Sequence, residues 1–451
     1  MIDLILFGGC ILVLVAFGAV VLYYRTALIG LTALNLFFVA CSMLPVFFFG
    51  TLFNQLPDSW TPEHSNVVAY GIVGLLAMVA GVYIGWSPLK KAGHIPGNDI
   101  WASAHINEQV GWLTFWAGSF AEFGLSFVWD IPTVSTAVNC MASLDRFGLF
   151  ILLICALKTG RWHRFAIALA VFGLSSILGS FASGHSFIRI NTILPLLIIF
   201  FATSGFAPRY ALPAVGATIL LIPLMSAWME SRYIIRQGYL DGLSFLNKID
   251  TFYSEFLANL SFPTSNSFIG LLRERVDMTD ILAEQVAFQP FHEPYAYGET
   301  VYSAFYTLIP RMFWSDKPVV AGGSDFITRF TGMVRGADDI TSIGVAYPFE
   351  LYANGGPVFV VLGLGVLGYV CARLELSLIV RPQKSLGRFW ALALVTTVLC
   401  DGGQRTDVVL PALVASALAA YVMGRLLESF WLKTDILSIP DSSNHRRFLT
   451  S

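Results

Sequence analysis

The sequence predicts an all-α polytopic membrane protein, with about eleven transmembrane helices and one large loop outside the cytoplasm. The hydrophobic share is 56% and the charged share is 12%, about half of the roughly 25% that is usual in soluble domains. Apolar runs of 18 or more residues recur along the chain, and each is long enough to cross a hydrocarbon core of about 30 Å as a helix. We therefore expect one integral membrane domain, residues 1–451.

Eleven apolar segments are predicted to span the membrane. They cover residues 3–24, 28–50, 67–86, 108–128, 136–157, 165–183, 188–206, 210–228, 352–372, 388–403 and 407–425. Between the eighth and the ninth lies a polar connection, residues 229–351, called the long loop below. A connection of this length inside a compact bundle is usually functional.

Lysine and arginine concentrate in alternate short connections, which predicts the orientation. They follow the first, third, fifth, seventh and ninth spans and recur in the tail, residues 426–451, whereas residues 51–65 and 130–135 contain none. The pattern places the N-terminus in the periplasm and the C-terminus in the cytoplasm of a bacterial inner-membrane protein. The long loop is then periplasmic.

The long loop is predicted to contain amphipathic helices. Residues 241–260 have helical apolar spacing and are expected to lie along the outer membrane surface. Residues 262–288 are expected to form a second helix, which begins near Pro263. Residues 230–350 contain nine basic and fifteen acidic side chains, so the loop is not a polybasic patch.

Cations at the outer face form the first candidate site. Arg189 and Arg405 lie in two short outer connections, and Arg311 and Lys317 lie in the long loop. A guanidinium fork suits phosphate oxygens, and a lysine adds a point charge. The alternative is that each arginine reaches lipid headgroups or pairs with a carboxylate, which we favour for any one of them alone. For the set together, we favour binding of an anion.

Charges inside the predicted spans form a second group. Glu122 lies in the fourth span, and Asp145 and Arg146 lie in the fifth. Ionised groups at this depth usually face a bundle interior or a wet cavity. We favour mutual pairing of these residues, a structural role, over direct chemistry.

A general base is sought among the outer acids and histidines. The candidates are His185, His292, Glu293, Glu299, Asp316 and Glu350. Glu350 is preferred because it lies where the long loop re-enters the membrane, and partial desolvation there favours acid–base work. The alternative, a boundary carboxylate at the start of a helix, is equally compatible with the sequence. No metal-binding motif is present, and neither a metal nor a cofactor is expected.

Two patterns resemble a known family. Residues 310–318 read Pro-Arg-x-x-Trp-x-x-Lys-Pro, which resembles a signature in the large periplasmic loop of bacterial oligosaccharide repeat-unit polymerases, the Wzy-type O-antigen polymerases. The head of the ninth span is also similar to theirs at Gly344, Pro348, Glu350, Tyr352, Asn354 and Gly355. Arg189 resembles the arginine that precedes an apolar span in that family, although the usual Gly-Ser-Arg is replaced by Gly-His-Ser and a spacer. The similarity covers residues 184–373.

The resemblance implies a membrane glycosyltransferase of GT-C-like architecture that joins two polyprenyl-diphosphate-linked glycans without a metal. It implies that Arg189, Arg311 and Arg405 bind the diphosphate, that Lys317 supports them, and that Glu350 accepts the proton. A flippase and a chain-length regulator of the same pathway are possible partners, and no nucleic acid is expected. For Tyr295, Tyr297, Tyr306 and Trp314 we favour packing within the loop over stacking on sugars.

Two other functions remain open. An O-antigen-type ligase would use the same chemistry on a different acceptor. A transporter or flippase for a lipid or glycan would show broken or charged helices along a pathway, often with inverted repeats, and no repeat is visible here. A purely structural scaffold ranks last because it has no need of outer arginines in three connections.

Overall fold

The structure is a computed structural model that describes part of the chain. It covers residues 2–24, 30–88, 108–128, 144–183, 244–258, 260, 269–270, 273, 277–309, 313–314, 316–317, 323–333, 345–380, 409–410, 414, 418 and 421–422. Within these residues the fold is all-helical and contains no β-strand.

Twelve helices are described, numbered here in chain order. They are α1 (Ile2–Tyr24), α2 (Gly30–Cys41), α3 (Pro45–Phe53), α4 (Pro62–Gly85), α5 (Glu108–Val128), α6 (Leu144–Thr159), α7 (Trp162–Ser183), α8 (Phe245–Ala258), α9 (Thr279–Phe288), α10 (Glu299–Thr307), α11 (Gly323–Thr331) and α12 (Tyr347–Val380).

Three of these helices are long and apolar enough to cross a membrane. The segments are Asp3–Val20 in α1, Pro62–Gly85 in α4 and Tyr347–Ser377 in α12. This is consistent with the predicted class of membrane protein, whereas the count of eleven spans stays a prediction. The predicted spans at 188–206, 210–228 and 388–403, and most of 407–425, lie outside the described residues.

Two predicted spans are interrupted in the structure. Residues 28–50 form two helices, because α2 ends at Cys41 and α3 begins at Pro45. Proline cannot supply the N–H group that continues a helix, but it fits the first turn of a new one. The predicted span 352–372 is longer, Tyr347–Val380, and it is broken at Gly355 and Gly356 just before Pro357.

The long loop contains the first predicted amphipathic helix. Helix α8 exposes Leu246, Tyr253 and Leu257 at helical spacing, and its position on a membrane surface stays a prediction. The second predicted helix, 262–288, is wrong as one continuous helix, since residues 277–278 are non-helical and α9 begins at Thr279. The physical reason is the carboxylate of Asp277, which accepts a hydrogen bond from the backbone N–H of Thr279 at 2.7 Å and thereby competes with helical pairing.

Helices α4 and α12 form the central contact of the fold. A Cβ atom at Gly81 would collide with the backbone carbonyl of Gly365, and one at Gly85 would lie 2.6 Å from the Cβ of Ala372. Small residues therefore let the two backbones approach closely, as is common between membrane helices. The contact fixes α12, which carries Glu350 at its beginning.

A second close pair is formed by α5 and α6. A Cβ atom at Gly118 would collide with the backbone of Asp145, and one at Gly148 would collide with the backbone of Phe115. At the other end of this pair, Glu108 forms ion pairs with Arg164 and, at 3.8 Å, with Arg161. Glu108 and the two arginines therefore lie on one side of the bundle, and the assignment of that side to the cytoplasm stays a prediction.

Candidate functional site

The break in α12 is closed by the long loop. The backbone N–H groups of Ala296 and Tyr297 donate to the carbonyl oxygens of Ala353 and Asn354, at 2.8 and 3.0 Å. These carbonyls have lost their helical partners at the break, so the loop satisfies them. Gly356 has φ +69°, a left-handed conformation that favours glycine.

The side chain of Asn354 joins the loop to α12 at three points. Its Oδ1 accepts from the backbone N–H of Gly298 at 2.8 Å. Its Nδ2 donates to Oγ1 of Thr300 at 2.6 Å and to the carbonyl oxygen of Glu350 at 2.7 Å. Because Asn354 is buried, each of these bonds replaces water that cannot reach the group.

Glu350 lies beneath this junction, in the first turn of α12, and is only 2% exposed. The carbonyl oxygen of its neighbour Phe349 accepts from Nε2 of Gln285 at 3.1 Å, and Gln285 also donates to Gln289 at 3.0 Å. The sequence predicts a partly desolvated carboxyl here, and the structure buries it further than that. We call Gln285, Gln289, Thr300, Glu350 and Asn354 the buried polar layer.

The buried polar layer contains an unused acceptor. Gln285 is fully buried, and its Oε1 accepts no hydrogen bond from the described part of the chain. An unsatisfied buried acceptor is uncommon in folded proteins and fits a hydroxyl or amide donor from outside the protein. The sequence contains no signal for this, because Gln285 comes to Glu350 only through tertiary packing.

Four tyrosines extend from the bundle to the surface at the same place. Ring centroids are 5.4 Å apart for Tyr70 and Tyr352, 6.2 Å for Tyr352 and Tyr295, and 6.3 Å for Tyr295 and Tyr297. The predicted packing within the loop is seen for Tyr295, whose ring contacts those of Tyr352 and Tyr297. It is wrong for Tyr297, which is 78% exposed and has φ +45°.

The remaining two aromatics of the predicted set pack together. The rings of Tyr306 and Trp314 are in edge contact at 5.6 Å, so packing within the loop describes them. Trp314, the tryptophan of the Pro-Arg-x-x-Trp-x-x-Lys-Pro motif, is thereby held against α10.

Asp277 attaches the loop to the break between α2 and α3. Its carboxylate accepts from the backbone N–H groups of Val46 at 2.9 Å and of Thr279 at 2.7 Å. It thus caps the beginning of α3 from a distant part of the chain. Burial raises the pKa of Asp277 to about 6, and these hydrogen bonds oppose the rise.

A second polar attachment joins α9 to the beginning of α4. Nε2 of His64 lies 3.1 Å from Oδ1 of Asp280, and Nε of Arg273 lies 2.5 Å from Oδ2. Burial alone would raise the pKa of Asp280, but the hydrogen bonds from His64 and Arg273 hold it below its usual value. Arg273 also donates to Oγ of Ser59 at 2.8 Å.

Of the four residues in the predicted cationic cluster, only Lys317 lies among the residues that the structure describes. Its Nζ donates to the carbonyl oxygen of Ile309 at 2.9 Å, which holds Lys317 against the end of α10. Arg189, Arg311 and Arg405 lie outside the described residues, so their grouping stays a prediction.

Among the predicted bases, Glu293 and Glu299 are engaged by a loop arginine. Nε of Arg329 donates to Glu293 at 2.7 Å, and its two terminal nitrogens donate to Glu299 at 3.0 Å each. Hydrogen bonding to Arg329 lowers the pKa of Glu299, which makes it a weaker base. His292 packs on Phe288. Asp316 is exposed, and His185 lies outside the described residues.

The predicted charges inside the spans are described in part. Asp145 is buried, and its Oδ1 lies 2.5 Å from the backbone N of Arg146 and 4.0 Å from Nε of the same residue. This contact joins neighbours on one helix, so the pairing that would lock two helices together stays a prediction. The side chain of Glu122 lies outside the described residues.

A buried carboxyl near the other end of α12 was not predicted. Glu375 is buried and accepts a hydrogen bond from Thr32, while Asn35 donates to Sγ of Cys371 at 2.9 Å. These contacts join α2 to α12. Glu375 lies beyond the predicted ninth span, which ends at residue 372, whereas α12 continues to Val380.

A metal site is not formed by the residues that the structure describes, since no three His, Cys, Asp or Glu side chains among them lie close enough to share an ion. The chain belongs to a family described as a domain of unknown function (DUF8712), whose model matches residues 100–377. No curated protein and no solved structure matches the chain.

Proposed function

We propose that this member of the DUF8712 family is a metal-independent glycosyltransferase that polymerises polyprenyl-diphosphate-linked oligosaccharide repeat units. The reaction takes place at the periplasmic face of the bacterial inner membrane and supplies O-antigen, capsule or exopolysaccharide. The proposal includes a GT-C-like architecture with eleven transmembrane spans. The observation that carries it is the burial of Glu350 beside the unused acceptor of Gln285, at the head of a candidate membrane span.

Glu350 is assigned the role of base. The acceptor hydroxyl attacks the anomeric carbon of the donor sugar, its proton passes to the Glu350 carboxylate, and the bond from the anomeric carbon to the lipid diphosphate breaks. Because Glu350 is almost fully covered, the proposal requires the segment between α9 and α10 to open when the acceptor enters. Oε1 of Gln285 then supplies an acceptor for a second sugar hydroxyl.

The arginines are assigned to the leaving group. Arg311, Arg189 and Arg405 bind the diphosphate, and Lys317 supports them. Their charges stabilise the negative charge that grows on the lipid diphosphate as the sugar leaves, a role that a metal ion fills elsewhere. The family match contains Arg189, Arg311, Lys317 and Glu350, whereas Arg405 lies beyond it.

A transporter or flippase is the second candidate. A specific observation favours it, because α12 is broken at Gly355 and Gly356 and has buried carboxyls, Glu350 and Glu375, near its two ends. Discontinuous helices and buried charges are frequent in transporters. The two candidates differ in where unpolymerised units accumulate, so one experiment separates them.

The experiment compares the glycans of cells that lack this chain after complementation with wild type, Arg311→Ala, Arg311→Lys or Arg329→Lys. Polymerase function predicts single repeat units on a normal acceptor with Arg311→Ala and poor rescue by Arg311→Lys. Arg329→Lys is the matched control, because this loop arginine is already neutralised by Glu293 and Glu299, and it should preserve polymer.

Other outcomes select other functions. Long chains that remain on the polyprenyl carrier would identify a ligase, and units trapped on the cytoplasmic side would identify a transporter. Normal polymer from inserted Arg311→Ala protein would overturn the role of Arg311 at the diphosphate.

A further inference from the structure

Helix α10 presents three different faces. One face is buried and contains Thr300 and Ala304. A second face carries Glu299, which is held by Arg329. The third face exposes only apolar and aromatic side chains, namely Val301, Tyr302, Phe305 and, just beyond the end of the helix, Ile309.

The exposed apolar face begins beside the lipid-facing side of α12. Tyr297, which precedes α10, donates its backbone N–H to the carbonyl oxygen of Asn354. One turn further along α12, a stripe of exposed side chains starts at Val358 and continues through Leu362 and Val366. Because α12 is long and apolar enough to cross a membrane, an apolar stripe exposed along it suits contact with lipid. The apolar face of α10 and the apolar stripe of α12 therefore both begin at the contact between Tyr297 and Asn354.

We propose that α10 lies in the interface of the bilayer, with the face of Val301, Phe305 and Ile309 between the headgroups and the acyl chains. Helices of this kind bury their apolar side about 5–10 Å into that boundary and keep their charged side in water. The pair of Glu299 and Arg329 occupies the watery side of α10. Tyrosine at the edge of the apolar face is typical of membrane–water interfaces.

The composition of the face favours lipid over a glycan. A sugar-binding surface needs polar groups beside its aromatic rings to hold the hydroxyls. Among the described side chains of this face, the only polar atom is the hydroxyl of Tyr302, whose ring contacts that of Tyr306 at 5.0 Å. The remaining exposed atoms of Val301, Phe305 and Ile309 can only be covered by apolar groups.

This position sets the depth of the segment that follows α10. The carbonyl oxygen of Ile309 accepts from Lys317 at 2.9 Å, and Tyr306 contacts Trp314. Trp314 and Lys317 are thereby held at headgroup depth. In the proposed glycosyltransferase, the lipid diphosphate lies at this same depth. The placement of α10 in the bilayer interface does not depend on that proposed function.

The test places the photoreactive residue p-benzoylphenylalanine at position 305, 328 or 358 of the full chain, in vesicles of phosphatidylethanolamine and phosphatidylglycerol. Thr328 is an exposed position on α11 beside Arg329 and serves as the water-facing control. Val358 is the lipid-facing control. Each variant is first shown to be monodisperse. After irradiation, peptides are searched by mass spectrometry for phospholipid adducts.

We expect phospholipid adducts at positions 305 and 358 and none at 328. An adduct at 358 without one at 305 would overturn the proposal, and a crosslink from 305 to protein would show that another surface covers the face. Equal lipid adducts at 305 and 328 would also overturn it, since α10 would then have no lipid-selective side. The vesicles contain no glycan, so a glycan-binding face predicts no adduct at 305.

Discussion

The side-chain oxygen of Asn354 lies 2.8 Å from the backbone nitrogen of Gly298, so an α12 side chain holds the turn that precedes α10. The same amide also binds Thr300 and the carbonyl of Glu350. One buried side chain therefore links the helix break, the residue assigned as base and the helix that we place in the bilayer interface. Its removal should loosen all three while leaving the helices of the bundle intact.

Asn354→Leu should increase hydrogen exchange of the backbone N–H groups of residues 296–300. The variant keeps the volume of the side chain but leaves Gly298 N–H without its acceptor, and an unsatisfied buried group costs about 1–3 kcal/mol. Opening of this segment should therefore become roughly tenfold or more frequent. Exchange measured by mass spectrometry in detergent checks this.

Ser303→Ala is the matched control for that measurement. Ser303 lies on α10, and among the described residues its hydroxyl bonds to the carbonyl of Thr300 within the same helix and not to α12. Exchange in residues 296–300 should stay close to wild type. Equal protection in Asn354→Leu and wild type would contradict the role of Asn354.

Glu350→Gln should abolish polymer while the protein remains inserted and monodisperse. Glutamine keeps the size of the buried side chain but cannot accept the proton of the acceptor hydroxyl. A glycan gel from complemented cells and a membrane-fraction blot check the two parts. Glu299→Gln is the control, because Glu299 is an exposed loop carboxylate paired with Arg329. Normal polymer from Glu350→Gln would leave Glu350 with a structural role only.

Asp277 should make the stability of wild type fall as pH rises from about 4 to about 6. Burial raises the pKa of this carboxyl from 3.8 to about 6 in the folded protein. The folded state then binds more protons than the unfolded state in this window, so the free energy of unfolding decreases with rising pH, by about 3 kcal/mol at most. Thermal unfolding in detergent at a series of pH values checks the slope.

Asp277→Asn isolates this group from the other carboxyls that titrate in the same window. Asparagine keeps an acceptor for Val46 N–H and has no charge to bury. The difference in the free energy of unfolding between wild type and variant should therefore show only the pH dependence that Asp277 contributes. If the stability of wild type relative to the variant rises with pH instead, the hydrogen bonds from Val46 and Thr279 outweigh the effect of burial on the pKa. The pKa of Asp277 would then be depressed.

The sequence predicts regular helices well and their interruptions poorly. The predicted spans 3–24 and 108–128 agree with α1 and α5 within a residue at each end, because apolar composition alone defines such segments. The break before Pro45 and the break at Gly355 and Gly356 have local signals that apolar length obscured. A rule that gave proline and paired glycines more weight would have found both.

The candidate site is predictable in position and not in detail. Glu350 can be placed from the sequence because the polar loop ends where the ninth span begins. Its cover cannot be predicted, since Gln285 and Phe349 meet across 64 positions, and Asp277 reaches Val46 across 231. Contacts of this range depend on how α9 folds over the bundle, which no local pattern encodes.

Gly81→Ala should destabilise the bundle by about 1–3 kcal/mol, the usual cost of overpacking a close contact. The added Cβ would collide with the carbonyl of Gly365 and would lie 2.9 Å from the backbone nitrogen of Tyr369. Both are backbone atoms, so α4 and α12 must move apart. Gly18→Ala in α1 is the matched control, because its Cβ meets nothing within 4 Å and alanine favours a helix by up to about 1 kcal/mol. Thermal unfolding should therefore shift down for the first variant and stay level or rise for the second, and equal shifts would mean that α4 and α12 do not pack at Gly81.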